Sequence, residues 1–257
     1  MNEDVPALST RDLTINFGGQ IAVNAVTCAF HQGTLTAIVG PNGAGKTTYF
    51  NLISGQLVAT AGQVLLDGHD ITRLAAPART RAGIGRAFQL TNLFPGLSVM
   101  ENVRLAIQSA AGVHYDLLTP WMRHGELIAR ADAVLARVAL SHRRDVPASV
   151  LSHGDQRKLE VALMIALEPK IFMFDEPTAG MSVDEVPVVL DLIAQLKRDK
   201  SKIILLVEHK MDVVRSLADR IIVLHNGKLV ADGAPAEVIA SPVVQEAYLG
   251  SFAERAA

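Results

Sequence analysis

Gly40-Pro41-Asn42-Gly43-Ala44-Gly45-Lys46-Thr47-Thr48 is the stretch of this sequence from which its fold follows. An apolar run, Leu35 to Val39, precedes it, and Tyr49 to Ser54 follow it, with Gly55 where a helix would end. A strand, a glycine-rich turn and a helix in this order are the context of a phosphate-binding loop. The glycines let backbone N–H groups turn inward around an anion, and the helix presents its positive N-terminal end to the same point.

Two side chains of this stretch complete the prediction. Lys46 would reach the terminal phosphates of a nucleotide, and the hydroxyl of Thr47 would be a ligand of Mg²⁺. The pattern G-x-x-x-x-G-K-[ST] would arise by chance in roughly one chain in a hundred of this length, and the flanking strand and helix lower those odds. The sequence therefore predicts a nucleotide-binding protein.

The composition is that of a globular protein. The 257 residues allow one large or two small domains with a sizeable core. The net charge of −2 gives no electrostatic argument for a nucleic-acid partner, and we expect none. The one cysteine, Cys28, allows no internal disulfide, suits a reducing cytoplasm, and is interpreted as a small core residue.

We expect no membrane-spanning segment. Residues 1–6 are acidic and lack the apolar region of a signal peptide. No stretch approaches the length of uncharged apolar chain that a spanning helix needs, and the best ones are interrupted by Glu160, Glu168 and Lys170. The chain could still dock on a membrane.

The segment before the loop has the pattern of short strands. Leu13, Ile15 and Phe17 alternate, Gly18-Gly19 turns the chain, and Ile21 to Phe30 is again typical of a strand. Spacing alone leaves two interpretations of Phe17: an aromatic ring that stacks on a nucleotide base, or a core residue of the alternating strand.

Helical patterns dominate the middle of the chain. A helix over Asp70 to Thr80 and a strand over Ile84 to Gln89 come first. Ser98-Val99-Met100-Glu101 has capping-box spacing, which predicts a helix to about residue 109. An amphipathic pattern predicts another helix from about Glu126 to Ala139. Residues 91 to 168 therefore form an all-helical block between strands.

Ser152 and Asp155 open the last helix of this block, and their spacing has two possible meanings. Their spacing is that of a capping box, so they could only start a helix. Alternatively, the Ser152 hydroxyl and the backbone N–H of Gly154 form a second anion site at a helix N-terminus.

Two later apolar runs end in polar side chains. Ile171 to Phe174 leads to Asp175-Glu176, and Ile203 to Val207 leads to Glu208-His209. Ligands of α/β sheets bind at the carboxyl ends of such buried strands. With a phosphate loop elsewhere in the chain, Asp175 fits an outer ligand of Mg²⁺ and Glu176 a general base on the attacking water. We interpret His209 as functional from its position.

Over nearly the whole chain, the order of these motifs resembles the ATP-binding subunit of ABC transporters. Any one motif could be a coincidence, whereas five in the right order are specific. They are Gly40 to Thr48 as Walker A, Gln89 as the Q-loop, Leu151 to Gln156 as the signature motif, Ile171 to Glu176 as Walker B with its catalytic glutamate, and His209 as the switch histidine.

The resemblance implies an α/β fold: a P-loop NTPase (RecA-like) core with an N-terminal antiparallel β subdomain and an inserted α-helical subdomain. Within one domain over residues 1–257, residues 1–90 and 169–240 would form the core with the β subdomain. Residues 91–168 would form the helical signature subdomain, and residues 241–257 a C-terminal tail.

The resemblance also implies a site for ATP and Mg²⁺. The implied catalytic residues are Glu176, His209, Lys46 and Gln89, and the implied metal ligands are Thr47, Gln89 and Asp175. Phe17 takes the position of the adenine-stacking aromatic. The other implied nucleotide-binding residues are Val23, Gly40, Asn42, Gly43, Ala44, Gly45, Lys46, Thr47, Thr48, Ser152 and Gly154.

Such ATPases work with partners. Two ATPase subunits, as a homodimer or heterodimer, pack head to tail, so that Ser152 and Gly154 close on the γ-phosphate held by the partner subunit's Lys46. Two transmembrane permease subunits and an external solute-binding protein complete the transporter, which places the ATPase at the cytoplasmic face of the bacterial inner membrane as a peripheral subunit.

A narrower resemblance is to the ATPases of importers for branched-chain, or more broadly hydrophobic, amino acids. It rests above all on the closing Ala247-Tyr248-Leu249-Gly250, and also on stretches such as Gly85 to Gln89 and Ala179-Gly180-Met181. Because no residue here touches the transported solute, the cargo rests on analogy.

The sequence departs from the family pattern at three residues. His153 and Asp155 replace a glycine and a glutamine of the signature motif, and Asp155 would weaken closure on a phosphate unless a cation compensates its charge. Ser182 stands where the D-loop aspartate is usual. Unequal sites in a heterodimer would accommodate these changes.

Three alternative functions are compatible with parts of this sequence. An ABC transporter could carry another cargo, such as urea or an exported lipid. A non-transport ABC ATPase acting on DNA or ribosomes would usually carry long coiled-coil insertions or two ATPase units, and this sequence has neither. A small-molecule kinase would need neither the signature motif nor the switch histidine.

Overall fold

The computed structural model of the chain describes residues 7–87, 93–112 and 125–246. The strands are β1 Leu8–Phe17, β2 Gln20–Phe30, β3 Leu35–Val39, β4 Ala61–Leu66, β5 His69–Asp70, β6 Ile84–Ala87, β7 Ile171–Asp175, β8 Ile203–Val207, β9 Arg220–His225 and β10 Lys228–Gly233. The α-helices are α1 Lys46–Ser54, α2 Ala76–Arg81, α3 Val99–Ala110, α4 Gly125–Arg137, α5 His153–Leu167, α6 Val186–Lys197, α7 Met211–Leu217 and α8 Pro235–Ala240.

Four strands form an antiparallel sheet in the order β2-β1-β4-β5. The turn Gly18-Gly19 joins β1 to β2, as predicted, and brings Phe17 opposite Gln20. Leu13 and Ile15 are buried on one face of β1, which is the side-chain alternation that a half-buried strand requires.

The second sheet has six strands in the order β10-β9-β3-β8-β7-β6. Strands β9, β3, β8 and β7 pair in parallel, and β10 returns antiparallel to β9 through the turn Asn226-Gly227. Every residue of β3, β7 and β8 is buried, which is why these strands are continuous apolar runs in the sequence. The prediction of an α/β fold with a parallel core and an N-terminal antiparallel sheet is confirmed.

The residues of β3 contribute to two hydrophobic clusters. Ile38 packs in a cluster with residues of both sheets and with the buried face of α1, including Tyr49 and Phe50. Ala37 and Val39 point to the opposite face and pack in a cluster with residues of α7 and α8. Packing of α1 against this core therefore holds the start of the helix close to the end of β3.

The chain divides into two compact units. One comprises the chain up to Ile84, Lys170–Asp175 and the chain from Lys197 onward, and it contains the antiparallel sheet and the parallel strands β3, β7, β8 and β9. The other comprises Gly85–Pro169 and Glu176–Leu196, and it contains α3, α4, α5 and nearly all of α6. The domain boundaries at residues 91 and 168 stay predictions.

The predicted helix over Asp70 to Thr80 is wrong in its first half. Asp70 belongs to the short strand β5, and its carboxylate accepts a hydrogen bond from the backbone N–H of Thr72 at 2.8 Å. Such a side-chain bond offers the backbone an alternative to the helix. The helix begins only at Ala76, where Pro77 supplies a backbone angle suited to a first turn.

The helix predicted from the capping box at Ser98 is confirmed. The Ser98 hydroxyl accepts from the N–H of Glu101, and the Glu101 carboxylate accepts from the N–H of Ser98. The longest helix among the described residues, α5, has 15 residues, and none of those described is long and apolar enough to cross a membrane.

Candidate functional site

The predicted phosphate loop turns sharply between β3 and α1. Gly45 has φ of 95°, and a Cβ there would overlap the carbonyl oxygen of Ala22 on β2. The turn after β9 supports the loop from another direction, because Gly227 N–H donates to the carbonyl of Ala44 at 3.1 Å and Gly227 C=O accepts from Asn24 at 2.8 Å. The loop is thus shaped by contacts with β2 and with the turn between β9 and β10, as well as by its own glycines.

Lys46 points into this loop. Its side chain is almost fully buried, and Nζ donates to the carbonyl oxygens of Gly40 and Pro41, each at 2.8 Å. Burying an ammonium group is costly unless acceptors meet it, and a phosphate oxygen is a stronger acceptor than a neutral carbonyl. The geometry therefore provides a cation inside the loop that is ready to meet an anion.

Three neighbouring parallel strands bring other predicted residues to the same edge of the sheet. Ile38 of β3 lies opposite Val207 of β8, and Val207 lies opposite Asp175 of β7. The phosphate loop, the segment Glu208-His209 and Asp175 therefore all occupy the carboxyl edge, where open α/β sheets bind ligands. The Asp175 carboxylate is buried, and His209 is exposed.

Glu208 is a contributor to this edge to which the sequence prediction gave no role. Its carboxylate is buried and accepts hydrogen bonds from the backbone N–H groups of His209 at 2.9 Å and Lys210 at 3.3 Å. These bonds fix the backbone that carries the His209 side chain. The signal in the sequence is an acidic residue directly after a buried strand, where its carboxylate can accept hydrogen bonds from the backbone N–H groups that follow it.

Thr47 and Asp175 provide a donor set that suits Mg²⁺. No group of three or more His, Cys, Asp or Glu side chains within the described ranges could hold a metal ion. Mg²⁺ does not need such a cage, because it is usually bound through one or two carboxylates together with substrate phosphates and water. A hydroxyl and one buried carboxylate beside a phosphate loop fit this ion. Gln89, the third predicted ligand, lies outside the described residues.

Glu176 follows β7 directly and begins the second segment of the other compact unit. Its φ of 50° is unusual for a residue other than glycine, and its carbonyl accepts from Ala179 N–H at 3.0 Å. Such left-handed backbone costs about 1 kcal/mol or more, and this kind of strain is concentrated at active sites. Residues outside the site, such as Ala139 and Glu168, adopt the same backbone region, so the role of Glu176 rests on its place directly after Asp175 at the end of β7.

Ser152 is the N-cap of α5. Its hydroxyl accepts from the N–H of Asp155 at 3.1 Å, Ser152 and His153 are exposed, and Gly154 is buried. The Asp155 carboxylate is compensated by Lys158 at 3.0 Å and by Arg143 at 3.7 Å. The cations that the unusual signature motif requires are therefore present in the same unit.

Phe17 and Val23 have different surroundings. Half of the Phe17 surface is exposed at the end of β1, which favours base stacking over a core role. Val23 is fully buried and packs in the cluster shared by the two sheets, and its role as a nucleotide contact stays a prediction. Its backbone lies beside Gly227, the residue that supports the phosphate loop.

Two protein-family models match the chain. The model described as ABC transporter matches residues 23–179, and the model described as branched-chain amino acid ATP-binding cassette transporter matches residues 228–254.

Relatives with an assigned transport role match this chain almost from end to end. The high-affinity branched-chain amino acid transport ATP-binding protein LivG of Escherichia coli K12 is 38% identical over 250 residues, which are 95% of this chain and 98% of that protein. The corresponding protein BraF of Pseudomonas aeruginosa is 36% identical over the same shares.

Solved structures of ATP-binding cassettes from ABC transporters are also similar to this chain. The crystal structure of an ATP-binding cassette of an ABC transporter in its ADP conformation has a TM-score of 0.80 and 29% identity, covering 95% of this chain and 98% of its own. A nucleotide-free ATP-binding cassette from an ABC transporter has the same TM-score and identity, covering 94% of this chain and 98% of its own.

Proposed function

Because the chain belongs to the ABC transporter family as an ATP-hydrolysing subunit, we propose that it powers the import of branched-chain or other hydrophobic amino acids. The observation that carries this cargo is the match of residues 228–254 to a family model of that substrate class. The substrate named for LivG and BraF supports it further. The cargo itself would be bound by other subunits.

The proposed chemistry is an in-line attack of water on the γ-phosphate of ATP. Lys46 and the N–H groups of the loop stabilise charge on the phosphates, and Glu176 polarises the attacking water. His209, held by the backbone that Glu208 fixes, orients the γ-phosphate and the water. Thr47, Asp175 and Gln89 would hold Mg²⁺, which when bound neutralises charge between the phosphates.

The proposed site is shared between two ATPase subunits packed head to tail. The exposed Ser152 hydroxyl and the N–H of Gly154, at the positive end of α5, would meet the γ-phosphate bound by the partner subunit's Lys46. ATP would join the subunits, and hydrolysis would release them.

A groove whose lining includes Ala87 and Leu93, which flank Gln89 in the sequence, is the proposed contact with the permease. It is lined mainly by apolar side chains, with Glu160 as a buried carboxylate. Its lining residues are Arg86, Ala87, Leu93, Glu160, Leu163, Met164 and Leu167. A helix of a permease subunit seated there would transmit the closing motion to the membrane.

The ATPase would then lie at the cytoplasmic face of the inner membrane, and an external solute-binding protein would deliver the amino acid.

Reconstitution of the whole transporter in vesicles tests this proposal. We expect uptake of labelled leucine that depends on ATP, on the binding protein and on this subunit. Lys46→Ala should abolish nucleotide binding and uptake, because the loop loses its cation. Glu176→Gln should bind ATP and accumulate as a closed dimer, because the shape is kept and the base is lost.

Three results would contradict the proposal. Nucleotide affinity unchanged in Lys46→Ala would exclude the loop assignment, and full turnover in Glu176→Gln would exclude the assigned base. Uptake of urea or another solute, with no uptake of hydrophobic amino acids, would exclude the cargo.

A further inference from the structure

The carboxylate of Glu185 folds back onto the segment that follows Glu176. Its Oε2 atom accepts hydrogen bonds from the backbone N–H of Ser182 at 3.2 Å and from the Ser182 hydroxyl at 3.0 Å. Part of this arrangement is the ordinary cap of a helix start, because α6 begins one residue later. The helix cap accounts for the position of Oε2 but not for that of Oε1.

The other side of this carboxylate lies against Gly154, in the first turn of α5. A Cβ at Gly154 would overlap both carboxylate oxygens and the Cδ atom of Glu185. The glycine is therefore what lets an acidic side chain approach the positive N-terminal end of α5. The cap on α6 alone would not require that approach.

Charged side chains extend this contact. Lys158 Nζ lies 3.9 Å from Glu185 Oε1 and 3.0 Å from Asp155 Oδ1, and Arg143 Nε lies 3.7 Å from Asp155 Oδ2. Lys158 and Asp155 are largely buried, with 12% and 11% of their side chains exposed, so solvent screens this pair weakly. Two acids and two bases thus connect the start of α6 with the N-terminus of α5.

We propose that Glu185 is a positioning residue for ATP hydrolysis. Its carboxylate connects the segment Gly180-Met181-Ser182, which continues from Glu176, to Ser152 and Gly154. When Ser152 and Gly154 engage the nucleotide of a partner subunit, the connection holds Glu176 in its catalytic position. This inference rests on the proposed function, because it needs Glu176 as the base and Ser152 as a phosphate ligand.

Glu185→Gln is the variant that tests the connection. It keeps the shape and an acceptor for Ser182 but removes the charge that Lys158 and the helix N-terminus attract. We expect kcat to fall by about tenfold with little change in KM or in ATP affinity, because only the reacting geometry is affected. Asp184→Asn is the matched control: it removes an equal charge from an exposed side chain of the same turn, and turnover should be retained.

Lys158→Gln provides an independent measurement. Because Glu185 and Lys158 are in contact, the double variant should lose less activity than the sum of the two single losses. A thermal unfolding curve for each variant separates misfolding from lost positioning. If Glu185→Gln does not fold, Glu185→Asp, which keeps the charge but shortens the side chain, is expected to fold and to show the same fall in kcat.

The outcomes distinguish this inference from the proposed function. Wild-type kcat in folded Glu185→Gln, or a change in unfolding temperature alone, would overturn the positioning role while Lys46→Ala stays inactive. Additive losses in the double variant would also overturn it. Full ATP turnover in Lys46→Ala would instead overturn the proposed function itself.

Discussion

At the scale of single residues, Lys46 shows how the phosphate loop is prepared for its ligand. Two carbonyl oxygens of the loop hold the buried ammonium group in place. The cost of desolvating the charge is therefore met before any anion arrives. In the proposed function, a phosphate would offer this ammonium group a charged acceptor at a position that the loop already fixes.

Cys28 belongs to a small polar network beneath α1. The hydroxyls of Thr10 and Tyr49 are 2.8 Å apart, and the Cys28 N–H donates to Thr10 Oγ1 at 3.2 Å. Burial, the largest cause, raises the pKa of the Cys28 thiol from 9.0 to about 11, and burial also raises the pKa of Tyr49. The sequence prediction of a small core residue is confirmed by its burial.

We predict that a thiol reagent at pH 8 labels the folded chain very slowly. The thiolate is the reactive species, and the raised pKa lowers its population by roughly a hundredfold in addition to the effect of burial. The change in absorbance with time measures the labelling rate. The denatured chain is the control that should react rapidly, and Cys28→Ser is the control that should not react. Labelling of folded protein at the rate of the denatured chain would contradict the prediction.

The same pKa shift has a consequence for stability. The folded state binds the proton of the Cys28 thiol more tightly than the unfolded state does. This difference stabilises the folded state fully below pH 9, and the stabilisation is lost as the pH rises toward 11. The denaturant concentration at the unfolding midpoint should fall between pH 9 and pH 11 for the wild type, and it should fall less for Cys28→Ser.

At the scale of secondary-structure elements, the helix of the phosphate loop depends on a buried arginine. The Arg79 guanidinium, on α2, donates to the carbonyls of Leu52 at 2.6 Å and Ile53 at 2.7 Å, at the end of α1. It also donates to the carbonyls of Thr72 at 2.7 Å and Leu74 at 2.9 Å. A cation at a helix C-terminus is favoured by the dipole, and four acceptors offset its desolvation.

We predict that Arg79→Met lowers the free energy of unfolding by about 3 kcal/mol or more, because it leaves buried carbonyls without their donor. Denaturant unfolding measures the loss. Arg81→Met is the control, since Arg81 is exposed on the same helix and should change stability by about 0.5 kcal/mol or less. Equal effects of the two substitutions would show that the carbonyl bonds are not responsible.

At the scale of the whole molecule, the two compact units divide the proposed chemistry. Lys46, Asp175 and His209 belong to one unit, whereas Ser152, Gly154 and Glu176 belong to the other. A head-to-tail pair of chains would therefore combine the phosphate loop of one chain with the signature motif of the next. This arrangement makes a mixing experiment informative.

We predict that inactive subunits complement each other if the chain forms a homodimer. Lys46→Ala and Ser152→Ala homodimers should each hydrolyse ATP poorly. In a mixed dimer, one site carries both defects and the other site carries none, so the mixture should regain activity well above either variant alone. ATP turnover measured against mixing ratio is the test. A rate equal to the average of the two variants would contradict a site shared between copies of this chain.

The sequence by itself determined the elements whose signals are local. The phosphate loop, the buried strands β7 and β8 and the capping box at Ser98 are encoded within a few consecutive residues. The order of the five motifs, from Walker A to the switch histidine, also indicated the family. The helix expected from Asp70 failed because a side-chain bond competed locally with the helix.

Only the tertiary structure decided which distant residues complete these elements. Arg79 caps α1 from a position 27 residues beyond Leu52, Lys158 and Arg143 compensate Asp155, and Glu185 requires the glycine at position 154. Val23 was predicted as a nucleotide contact and is buried in the core. These contacts depend on packing between segments far apart in the chain, and no periodicity or short motif records a partner that is near in space and distant in sequence.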